Sequence, residues 1–141
     1  MRYTERVVNH AARGRLPERI ESGRLLLLCL VAWAIPGAGH VWLGRRRTGL
    51  ILLAALPLFF SLGLVLDGQL FPFDISSPLV GLAALADVGI GVPYFVAAAL
   101  GLGAGDVRAV TYEYGNVYMI VAGLLNVLVV IDAYDIALGR K

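Results

Sequence analysis

The sequence predicts an all-α integral membrane bundle of about four hydrophobic helices, the first of them broken or re-entrant at Pro36 to Gly39. Three observations carry this. Hydrophobic residues make up 59% of the chain and charged residues 16%, against roughly 25% charged in soluble domains. The mean hydropathy is +0.79. Four apolar stretches, each near the roughly 20 residues a crossing helix needs, are separated by clusters of glycine, proline and charge. At 141 residues the chain has room for one compact bundle and little for a soluble catalytic domain.

Residues 1–24 form a basic juxtamembrane segment holding Arg2, Arg6, Arg13, Arg15, Arg19 and Arg24, half of the 12 basic residues. Such a cluster beside an apolar run reads as a cytoplasmic retention signal that attracts anionic lipid. It also suits a lipid-sensing segment. A nucleic-acid site would interleave aromatic groups, and only Tyr3 is present. The transmembrane domain then occupies 25–138, with a short polar tail at 139–141.

The first apolar segment, 25–43, is long enough to cross, but Pro36 to Gly39 interrupts it after 11 residues. Ala32-Trp33-Ala34 has the small-x-small form of a signal cleavage site. The long basic region before it and the return of apolar character after it argue against cleavage. Cys29 is the only cysteine and reads as a small buried hydrophobe. Arg45 to Arg47 must then turn the chain at a membrane surface.

The second segment, 48–66, contains Pro57 and reads as a kinked crossing helix. Asp67 to Pro78 follows as a loop without positive charge. The third segment, 79–103, carries Asp87, Gly89, Gly91 and Pro93, which predict a kink or unwound turn. Ala97, Gly101 and Gly105 recur every four residues and predict a close-packing face. A polar connection to Gly115 precedes the fourth helix, 116–137, which is interrupted by Asn126. Four plain crossings place eight basic residues inside and four outside; a re-entrant first segment places ten on the N-terminal side and two on the other, which the positive-inside rule prefers.

The pattern Pro36-Gly37-x-Gly39-His40-x-Trp42-Leu43-Gly44-Arg45, with Gly49 following, is similar to the turn of the TM-two type of membrane hairpin, without that family's Asp-Arg-Phe element. Glu113-Tyr114-Gly115-Asn116, Gly123-Leu124-Leu125-Asn126 and Asp132-Ala133-Tyr134-Asp135 resemble a bacterial domain-of-unknown-function family of small multi-pass inner-membrane proteins. That resemblance implies an inner-membrane location and supplies no catalytic residues.

Asp87 is the sharpest candidate for chemistry, because an intramembrane carboxylate needs a partner, a proton or water. His40, the arginine triplet and Asn126 are its expected partners. Asp132 and Asp135, three apart on one helix, are expected to meet a cation or the basic N-terminal segment. No zinc spacing, nucleophile elbow or nucleotide loop is present, so the sequence predicts no catalytic, cofactor or metal site. The reading with fewest assumptions is a non-enzymatic structural or accessory component, with a membrane protein as partner. A minimal proton, ion or small-solute transporter is the competing reading, and it requires Asp87, Asn126 and Asp132 to converge on one cavity.

Overall fold

A computed structural model describes residues 22–141, so the basic segment up to residue 21 lies outside the described residues. Six helices follow in order: α1 Ser22–Ala34, α2 Ala38–Trp42, α3 Arg46–Val65, α4 Pro78–Val88, α5 Val92–Ala99 and α6 Tyr112–Ala137. Two of them, α3 and α6, are long and apolar enough to cross a membrane, and a third crossing exists only if the bent α4–α5 pair is counted as one. At 1.5 Å per residue α3 and α6 measure about 30 and 39 Å, matching or exceeding a hydrocarbon core of about 30 Å.

These two helices pack antiparallel on small residues. A Cβ added at Gly63 or Gly115 would press into the other helix's backbone, so the pair approaches closely only because both are glycine. Leu56, Phe60, Met119 and Ala122 join Ile90 and Ala97 in the core beside this contact. α6 turns its Gly115, Asn116, Met119, Ala122, Gly123, Asn126 and Ala133 inward, a stripe at helical spacing.

The other helices form two broken elements that double back. α1 has 13 residues, about 20 Å, and ends at Ala34. Pro36 and Gly37, the latter at φ 84°, reverse the chain. Gly39 then lies against Ala32 and Ala133, with Ala32 Cβ 2.7 Å and Ala133 Cβ 3.1 Å from where its own Cβ would be. The expected 25–43 helix is therefore broken, as its proline and glycines require. α4 and α5 meet at 107° across Gly89 to Gly91. Their flanking loops are tied together: Leu70 N donates to Gly103 O at 2.9 Å, and Asp106 N to Asp67 O at 3.3 Å. The α4–α5 pair thus returns to the end of the bundle where it started.

The break expected between Asp87 and Pro93 takes the form of an unwound turn, leaving two helices, because Gly91 sits at φ 81° and ends helical continuity. One sequence expectation needs correction here. The Ala97-Gly101-Gly105 face does not exist, since α5 stops at Ala99 and Gly101 and Gly105 adopt positive φ outside any helix. The small-residue face lies on α6 instead. That helix begins at Tyr112, four residues before the expected start.

Candidate functional site

The two broken elements enter from opposite ends and their tips meet beside the middle of α6. Trp33 Nε1 donates to Val88 O at 3.1 Å. Asn126 Nδ2 donates to Trp33 O and to Gly89 O, both at 2.9 Å. These carbonyls belong to the C-terminal ends of α1 and α4, where the helix ladder leaves them without partners. One side-chain amide therefore closes two helix ends. Gly91 permits the approach, since an added Cβ would lie 2.8 Å from Ala34 O and closer still to Trp33 O. Trp33 also meets Phe95 edge to face, ring centroids 6.2 Å apart.

Asp87 is fully buried in the half of the bundle holding the α3–α4 loop. Its Oδ2 accepts from Phe71 N at 3.2 Å. None of the three expected partners reaches it: His40 and Asn126 are bonded elsewhere, and Arg45, Arg46 and Arg47 are exposed at the opposite end. The loop backbone partners one oxygen of the carboxylate, where a side chain was expected.

His40, also buried, joins α2 to α6 through Nε2 and Asp132 Oδ2 at 2.9 Å. A carboxylate only accepts, so the proton on that bond is on Nε2. Asp132 also pairs with Lys141, and Asp135 Oδ1 meets Arg140 Nη1 at 3.3 Å. The cations that the two carboxylates meet come from the chain's own tail. The Asp132 carboxylate raises the Lys141 ammonium above its ordinary 10.5. The hinge motif's Gly49 is buried against Val41 of α2, and Gly44 at φ 84° supplies the turn into Arg45.

The polar groups do not converge. Asp132 and His40 line a cleft of about 500 Å³ with Thr48, Leu52 and Lys141, and neither Asp87 nor Asn126 borders it. Among the described residues no group of three or more His, Cys, Asp or Glu side chains is placed to hold a metal ion. Among the described residues three buried side-chain polar atoms have no hydrogen-bond partner: His40 Nδ1, Asp87 Oδ1 and Asn126 Oδ1. Asn116, absent from the sequence-derived candidates, accepts from Gln69 N at 2.7 Å and anchors the α3–α4 loop to α6. Its position ten residues before Asn126 on the same helix was the available signal.

A family model described as a family of unknown function (DUF6677) matches residues 27–141. The chain belongs to that family. The match takes in the tip junction, Asp87, the His40–Asp132 pair and the basic tail, so every group described above lies within the family's extent. No curated protein and no solved structure matches.

Proposed function

We propose that this chain is a multi-pass protein of the bacterial inner membrane, with its N-terminus in the cytoplasm, acting as a non-enzymatic structural or accessory component that seats a membrane-protein partner. The observation that carries this is the outward face of the two long helices. Only 22% of the most apolar window of α3 and 28% of that of α6 is buried within the chain, so most of their apolar surface is left for lipid and for another protein's helices. The closed junction at Asn126 supports a packing role, because the two tips meet by direct contact. Charge supports the orientation. Among the described residues Arg24, Arg45, Arg46, Arg47, Arg140 and Lys141 share one end, and Arg108 alone belongs to the other. The positive-inside rule assigns the basic end to the cytoplasm, and such an end suits anionic lipid headgroups.

Purification from mild detergent tests the reading. A partner recovered in fixed stoichiometry is the expected result. Purified chain that alone carries a proton or ion flux in liposomes, lost in Asp87→Asn with the fold intact, would overturn it. That second reading draws on the three unpartnered atoms of Asp87, Asn126 and His40, which occur at successive levels along α6.

A further inference from the structure

We propose that the cleft between α3 and α6 at their arginine-rich end binds one phospholipid whose headgroup carries both a primary ammonium and a phosphate. The cleft measures about 500 Å³, within the roughly 300–1,000 Å³ of small-molecule sites. Its lining is graded along the helices. Leu52, Leu125 and Leu128 form the deeper wall, while Thr48, Asp132 and Lys141 lie one turn nearer the end. An acyl chain matches the first set and a headgroup the second.

Charge selects the headgroup. Asp132 and Asp135 both border the cleft and oppose a purely anionic group. Lys141 borders it too and opposes a purely cationic one. A headgroup with both signs satisfies both, its phosphate toward Lys141 and its ammonium toward Asp135, whose bond to Arg140 is long at 3.3 Å. His40 also borders the cleft, 1% exposed, with its Nε2 holding Asp132 in place. A primary ammonium can donate hydrogen bonds to the Asp135 carboxylate, and a quaternary choline cannot.

The test uses the full chain, stripped of lipid in detergent and exposed to an equimolar mixture of phosphatidylethanolamine, phosphatidylcholine and phosphatidylglycerol, with retained lipid counted by native mass spectrometry. One phosphatidylethanolamine per chain is expected, preferred over each competitor by about fivefold, the worth of roughly one hydrogen bond. Asp135→Asn should remove the preference. Leu128→Trp, at a position 59% exposed and thus tolerant of added bulk, should block retention of all three. No retained lipid, preference for phosphatidylglycerol, indifference to Asp135→Asn, or displacement by free phosphoethanolamine at equal concentration would each overturn the proposal.

Discussion

At the scale of single residues, helix ends dominate, because a carbonyl left open in a low-dielectric setting costs more than in water. α3 closes with Gly68 N donating to Gly63 O at 3.0 Å and Asp67 N to Leu64 O at 3.3 Å, the Schellman pairing. Asp67, at φ 61°, is the only non-glycine residue with positive φ among the described residues. The same closure after α2 and α6 uses Gly44 and Gly139. Asp67→Gly should therefore stabilise the chain by about 0.5–1 kcal/mol in detergent unfolding, offset slightly by the long 3.4 Å bond from Thr111 Oγ1. Gly123 differs in kind. It sits in α6 against the Ala86 carbonyl with no room for a Cβ, so Gly123→Ala should cost about 1–3 kcal/mol by separating α4 from α6. Outside the helices, Ser76 donates to Asp74 Oδ1 through Oγ at 2.6 Å and through its backbone N at 2.9 Å. These bonds, the side-chain one first, hold the Asp74 carboxyl below its ordinary 3.8. A depressed carboxyl stabilises its turn above the unfolded value and loses that contribution as pH falls through the folded one. Ser76→Ala should move the Asp74 titration upward, read by carboxyl carbon NMR.

At the scale of elements, Asn126 holds two helix ends with one amide, so its loss should be felt in both. Asn126→Leu keeps the volume and removes both donors, costing about 1–3 kcal/mol because the two carbonyls are left unsatisfied. Hydrogen exchange should then rise together at residues 33–38 and 88–92. A rise in only one tip would refute the shared pin. The same junction explains how much of the fold was legible. Pro36, Gly37, Gly89 and Gly91 announce breaks because they act through their own backbone, and the apolar runs of α3 and α6 announce length. Where the broken pieces go depends on contacts between residues 33 and 88, or 70 and 103, and no local pattern encodes those pairings. Asp87 shows the same limit in the candidate site. Its burial follows from lying in an apolar run, while its partner, the Phe71 backbone N–H, depends on a loop whose path is set by Asn116.

At the scale of the molecule, the sidedness proposed above rests on which loops touch. If the α4–α5 pair crossed the bilayer, the 66–77 and 100–111 connections would lie on opposite faces. They are instead joined by the Gln69–Ala104 bridge, by the Leu70–Gly103 bond, and by Tyr112 Oη donating to Gln69 Oε1 at 2.7 Å. Direct hydrogen bonds cannot span about 30 Å of hydrocarbon. With α3 leading to this face and α6 leading back, the arginine turn and the Arg140–Lys141 tail share the other one. Single cysteines introduced into a Cys29→Ser background test the arrangement with a membrane-impermeant maleimide on cells whose inner membrane is intact. Ser76→Cys and Val107→Cys should both label from outside. Arg46→Cys and Arg140→Cys should label only after that membrane is opened. Labelling of Ser76→Cys and Val107→Cys from opposite faces would make the bent pair a third crossing, place the C-terminal tail outside, and remove the charge asymmetry on which the orientation rests.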